Sequence, residues 1–227
     1  YAWVILNPFF QMLVMAFVFS IIMRIPNLGV PYPIYLYAGL LPWTLFSSSL
    51  IASTNSLVSN AGLITKIYFP REIFVISNIM AKIVDFLLAS TIFIAFMIYF
   101  QVPATWNLLW IVPIFFIQQL FTYGLSLFLA AANLFYRDIQ YLLSLIILIW
   151  MYLTPVIYST ELFPEKYRWI FQLNPMAVII NAYRQVILAG DIPNLRSLAI
   201  ALVLSIFLLI GGYKFFKKLE GVFADIV

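Results

Sequence analysis

Residues 133–159 read NLFYRDIQYLLSLIILIWMYLTPVIYS, and how this stretch divides decides the fold class. Residues 133–140 make a compact polar hinge. About twenty uncharged residues follow, enough for a helix to cross a bilayer. Thr154-Pro155 near the far end breaks that helix, because proline lacks the N–H and its ring clashes one turn back.

Working outward, the composition puts the whole chain in one class. Hydrophobic residues make up 65% of the 227 and charged residues 9%, and the mean hydropathy is +1.07. A soluble domain carries about 25% charge. The chain is therefore read as an all-α, polytopic membrane protein forming a single transmembrane domain over 1–227. The net charge of +4 is too small to imply nucleic acid and fits loops facing an anionic membrane surface. With no Cys and no His, thiolate and imidazole chemistry and the commonest metal ligands are missing, so neither a catalytic nor a metal site is expected.

Six apolar stretches are long enough to span: about 3–23, 34–53, 73–100, 108–134, 139–158 and 198–216. Polar and apolar residues do not alternate over ten-residue strands, which argues against a β-barrel. Both termini then share a side. Lys66, Arg71, Arg137, Lys214, Lys217 and Lys218 lie on that side against Arg24, Lys166, Arg168, Arg184 and Arg196 on the other; four of those five fall in or beside one long segment and the short outer loops hold only Arg24, so the termini are placed in the cytoplasm. On the opposite side, 160–195 holds two apolar pieces too short to span, separated by Asn174-Pro175, and reads as a re-entrant or interfacial helical hairpin. A cytoplasmic run, 63–69, is amphipathic between Gly62 and Pro70 and reads as a docking surface for a cytosolic partner or as a helix lying on the membrane.

Five motifs, WVILNP (3–8), LITKIYFPRE (63–72), NLFYRDI (133–139), LTPVIY (153–158) and LNPMAVIINAYR (173–184), stand in order across the chain. Together they resemble the permease subunits of bacterial ABC exporters for polysaccharides and teichoic acids, of the Wzm and TagG type. The resemblance implies a homodimer in the inner membrane, paired with cytosolic ABC ATPase subunits that hold ATP and Mg. The cargo it implies is an undecaprenyl-diphosphate-linked glycan or a polyol-phosphate polymer. It also implies an interfacial helix before the first span, expected to be missing here.

Carried onto this chain, the resemblance makes Leu63, Ile64, Thr65, Lys66, Ile67, Tyr68 and Phe69 the coupling helix, continued by Pro70, Arg71 and Glu72. Arg137 and Asp138 fall on the turn before the fifth span, where they contact the ATPase or, for Asp138, cap the helix. No G-x-x-x-x-G-K-[ST] loop occurs, so ATP hydrolysis is expected on another chain.

The remaining candidates come from the residues themselves. Trp43, Phe46, Tyr123, Trp150, Tyr152 and Tyr158 offer flat faces and hydroxyls that suit a sugar path, although most aromatics here fit an interfacial belt, Tyr32 and Tyr35 included. Arg24, Lys82 and Arg184 are cations that a lipid diphosphate would meet. Lys82 also stands three residues from Asp85 and can pair with it. Pro8, Pro155, Asn174 and Pro175 are hinge or gate positions, and Pro42 and Pro113 are expected to kink their spans. The competing readings are an ABC permease for a drug or lipid, an ATP-independent channel, and an intramembrane glycan- or lipid-modifying enzyme, the last disfavoured by the missing His and Cys.

Overall fold

A computed structural model of the chain describes residues 30–64, 69–160 and 163–223, together with Phe10, Leu13, Val14, Phe17 and Val18. The expected first span is thus almost wholly outside the described residues, as are Pro8, Arg24 and residues 65–68 of the coupling segment. Among the described residues every regular element is helical. We number the α-helices α1 (Tyr32–Thr54), α2 (Ser56–Ser59), α3 (Ala61–Ile64), α4 (Glu72–Tyr99), α5 (Ile111–Phe135), α6 (Ile139–Leu153), α7 (Glu165–Gln172), α8 (Pro175–Arg184) and α9 (Leu195–Glu220). A 3-10 turn, Trp106–Trp110, leads into α5, and a π turn, Gln185–Ala189, extends α8.

Four helices are long and apolar enough to cross a membrane: Tyr32–Thr54, Glu72–Tyr99, Trp106–Phe135 and Leu195–Glu220. At ~1.5 Å per residue each exceeds the ~30 Å hydrocarbon core. They match the second, third, fourth and sixth expected spans to within a few residues. The fifth is different. α6 has 15 residues, about 22 Å of helix, and stops at Leu153 instead of continuing to 158. Pro155 is the cause, since it disfavours helical geometry in the residue before it. Thr154 is accordingly extended, with φ −102° and ψ 136°.

The other prolines behave less disruptively than expected. α1 runs as continuous helix through Pro42. Pro113 sits in the first turn of α5, just after the 3-10 turn, where its fixed φ suits a helix start.

The core is organised around α1, which is apolar on every face. Of its most apolar window 78% is buried, against 17, 33 and 22% for the other three long helices, whose outer faces carry large exposed hydrophobics such as Met80, Leu87, Phe116 and Phe207. α1 packs against α4, α5, α6 and α8. The most extensive helix pair is α5 with α9. There Gly124 and Gly212 meet so closely that a Cβ on Gly124 would fall 2.6 Å from the Leu209 backbone, the small-residue approach common between membrane helices.

The chain order gives the bundle two ends. The C-termini of α1, α5 and α9 and the N-termini of α4 and α6 lie at one, the turn end. The hairpin of α7 and α8 lies at the other, the hairpin end. That hairpin is not a uniform element. α7 exposes Tyr167, Trp169 and Ile170, whereas Met176 to Ile180 and Ala182 to Arg184 of α8 are all buried, so one arm rests outside and the other is part of the core.

Candidate functional site

The break after α6 leaves a run of non-helical backbone inside a membrane protein, where unpaired carbonyls cost about 1–3 kcal/mol each. Four consecutive carbonyls are satisfied by side chains far away in sequence. Arg184 donates from Nη1 to the Pro155 oxygen and from Nη2 to the Val156 oxygen. The Tyr32 hydroxyl donates to the Ile157 oxygen at 2.8 Å and the Tyr35 hydroxyl to the Tyr158 oxygen at 3.3 Å.

Arg184 is 6% exposed, and its charge is met by these dipoles and by Tyr35, whose hydroxyl accepts from Nη1 at 2.9 Å and whose ring centroid lies 3.8 Å from the guanidinium carbon. Gly39 makes room for it, because a Cβ there would run into the guanidinium. The sequence marked Arg184 as a cation for the lipid diphosphate and Tyr32 and Tyr35 as belt aromatics. The structure gives all three a clamp on the broken segment.

Asn174 fastens the same break to the hairpin. Its Oδ1 accepts from the Trp150 indole N–H at 3.2 Å and from the Met176 N–H at 3.1 Å, and its Nδ2 donates to the Thr154 hydroxyl oxygen at 2.9 Å. Asn174-Pro175 is therefore more than a separator: Asn174 is the N-cap of α8 and Pro175 its first residue, the arrangement that the orphan N–H groups of a helix start favour.

Beside this staple opens a groove of about 760 Å³ lined by Trp150, Tyr152, Leu153, Tyr158, Phe163, Tyr167, Ile170, Phe171, Leu173, Asn174 and Pro175. It unites three of the six path candidates with two hinge residues. Tyr158 folds across it, donating to the Tyr152 carbonyl oxygen at 2.7 Å. The other path candidates lie apart. Trp43 and Phe46 are 3% and 0% exposed, and with Phe121 they form an aromatic core under Trp150, ring centroids 5.2 to 6.5 Å apart. Tyr123 packs against the hydrophobic cluster of the turn end.

At the turn end the segment leaving the coupling run is tied to the last helix. The Arg71 N–H donates to the Glu220 Oε1 at 3.2 Å, and its guanidinium donates to the Glu220 backbone oxygen. Lys217 bridges Glu72 and Glu220 at 2.8 Å each. Of the coupling residues before them, Leu63 is exposed, Ile64 is buried, and the Phe69 ring packs on Phe74. Lys217 was read only as a cytoplasmic tail charge, and Glu220 was missed. Their signal was their i,i+3 spacing, opposite in sign to the adjacent Arg71-Glu72.

Arg137 and Asp138 are both exposed on the turn before α6. Asp138 holds the N-cap position without a side-chain capping bond. The buried Asn133 does that work, accepting from the Gln140 N–H at 3.0 Å and donating to the Thr54 oxygen at 3.1 Å, so the starts of α6 and the end of α1 are pinned to one side chain. On α4, Lys82 and Asp85 form the expected pair at 2.9 Å, each about a third exposed.

Comparison with known proteins supplies the family. A family model described as ABC-2 type transporter matches residues 1–188. The O-antigen export system permease protein RfbA of Klebsiella pneumoniae is 36% identical, with 100% of this chain and 87% of the relative covered. RfbA of Myxococcus xanthus is 29% identical, covering 99 and 86%, and the polysialic acid transport protein KpsM of Escherichia coli 23%, covering 94 and 84%. Such chains are multi-pass transport components that work with an ABC ATPase, not enzymes. The chain belongs to the ABC-2 type transporter family.

Proposed function

We propose that this chain is the permease subunit of an ATP-driven exporter that moves a lipid-linked polysaccharide across the bacterial inner membrane. The observation that carries the reading is the aromatic groove at the hairpin end, stapled through Asn174 to the break in α6. Six of its lining residues are aromatic, and flat rings with hydroxyls at their rim let a sugar chain slide by C–H contact and exchangeable hydrogen bonds. The names of the relatives favour a glycan over a teichoic acid.

In this reading the turn end faces the cytoplasm with both chain termini, and residues 63–72, with Arg137 and Asp138, meet the ATPase, which holds the ATP and Mg. This chain itself carries no cofactor. ATP-driven closure pushes on the coupling segment and on the α6 start, and α6 carries the displacement to Pro155 and the groove. Six spans, the first formed by residues 3–23 and kinked at Pro8, make one half of the pathway, and a second copy of the chain completes it. The lipid diphosphate meets Arg24 and Lys82, which can exchange Asp85 for phosphate oxygens.

Deleting the permease in its host and restoring it tests the reading. Surface polysaccharide should vanish and return, and the complex should co-purify with an ATPase whose hydrolysis responds to lipid-linked glycan. Unchanged surface polysaccharide in the deletion strain, or transport by the chain without an ATPase, would overturn it.

A further inference from the structure

A second cavity, of about 420 Å³, opens at the turn end between α1, α4 and α6. Its chemistry is unlike that of the groove. Asn55, Ser59, Asn78, Gln140, Tyr141 and Ser144 line it opposite the apolar Ile51, Ala52 and Leu143, and no charged side chain is among the described residues around it. Three of these groups are spent locally: Ser59 donates to the Ser56 oxygen, Asn78 to the Phe74 oxygen and Ser144 to the Gln140 oxygen. The side-chain amides of Asn55 and Gln140 and the hydroxyl of Tyr141 make no hydrogen bond among the described residues. Asn55 and Tyr141 are exposed and Gln140 is half-buried, so the two amides present four N–H donors and two carbonyl acceptors to whatever enters from the turn end.

We propose that this cavity is an entry subsite for an uncharged sugar ring of the exported glycan. The proposal rests on the export reading above and adds to it a place and a chemistry. A diphosphate would need a cation and an ion would need carboxylates, and the lining supplies neither; an acyl chain could rest on Ile51, Ala52 and Leu143 but would leave the polar groups opposite them unpaired. A pyranose fits, because neighbouring hydroxyls present the paired donor and acceptor that an amide matches, while the Tyr141 ring and Leu143 receive the C–H face. The volume lies within the range of small-ligand sites, ~300–1,000 Å³. Position adds a reason for the site to be used in transport. The Gln140 backbone is held by Asn133, so the subsite is fixed to the start of α6 and is remade whenever that helix moves.

The test uses the permease–ATPase complex in proteoliposomes, titrated with lipid-linked glycan extracted from cells lacking the permease, with ATP hydrolysis as the readout. In the double variant Asn55→Leu, Gln140→Met, near in volume but without the amides, half-maximal stimulation should need about tenfold more glycan, the loss of one to two neutral hydrogen bonds. Undecaprenyl diphosphate carrying no sugar should act alike on variant and wild type. No shift with glycan, or an equal shift with the sugar-free lipid, overturns the subsite. No response of the wild type to glycan overturns the export reading and the subsite with it. Should the double variant not assemble with the ATPase, Tyr141→Phe, which removes the unpartnered hydroxyl alone, should give a shift of the same direction, and its absence overturns the proposal equally.

Discussion

Arg184 shows how one side chain can hold open a break that the bilayer would otherwise forbid. Removing its fork by Arg184→Met strands two buried carbonyls and should cost several kcal/mol, at about 1–3 kcal/mol each. Arg184→Lys keeps the charge but loses the planar fork and the stacking on Tyr35, so it should fall between the two. Gly39→Ala should be destabilising for the same reason from the other side, because its methyl displaces the guanidinium. Since both changes act on one contact, Gly39→Ala with Arg184→Lys should cost less than the sum of the singles; thermal unfolding of detergent-solubilised protein, followed by size exclusion, checks all four. At this scale the sequence was least legible. Arg184 could be flagged as a cation near a pathway, but its partners are carbonyls 28 and 29 residues upstream and a tyrosine 149 residues away, and no local pattern announces such a meeting. Asn133 was missed for the same reason, although the hinge it opens was visible.

The elements themselves were largely written in the sequence, because span length and the scarcity of charge are properties of a continuous window. Where a window ends is set by local stereochemistry: Thr154-Pro155 announced a break, and the helix stops just before it. What periodicity could not decide was burial. α8 is as apolar as an interfacial helix, and its place in the core depends on α1, α5 and α9 arriving around it.

Pro155→Ala removes the obstacle to helix continuation, worth ~3 kcal/mol within a helix, and should draw residues 154–158 away from Arg184. Export should fall severalfold while membrane yield and ATPase co-purification hold, and an unchanged export rate would count against α6 as a transmitting rod. At the turn end, Glu72→Lys or Lys217→Glu alone places like charges together, and each should lower coupled transport about two- to fivefold, the scale of a partly exposed pair. The reciprocal exchange should recover part of the loss. Equal defects in the singles and the double would assign the network to folding rather than to coupling.

For the whole molecule, the exposed apolar surface sets the remaining question, which is where the proposed second copy would sit. α6 is the short helix of the bundle, yet Leu142, Leu145, Ile146, Ile149 and Tyr152 are all more than half exposed along it. It also carries the groove at one end and the polar cavity at the other. A helix too short to span alone is poorly served by lipid and well served by a partner that continues the pathway, so α6 should lie near the two-fold axis of the proposed homodimer. On such an axis a residue meets its own copy. The chain has no native cysteine, so single substitutions report without background. Ile149→Cys and Leu145→Cys should form disulfide-linked dimers on mild oxidation, because their Cβ atoms can come within the ~4 Å a disulfide requires. Val203→Cys, exposed on α9, should remain monomeric on denaturing gels. Cross-linking through Val203 and not through α6 would move the interface to α9 and leave the groove facing lipid, and the path proposed along α6 would have to be abandoned.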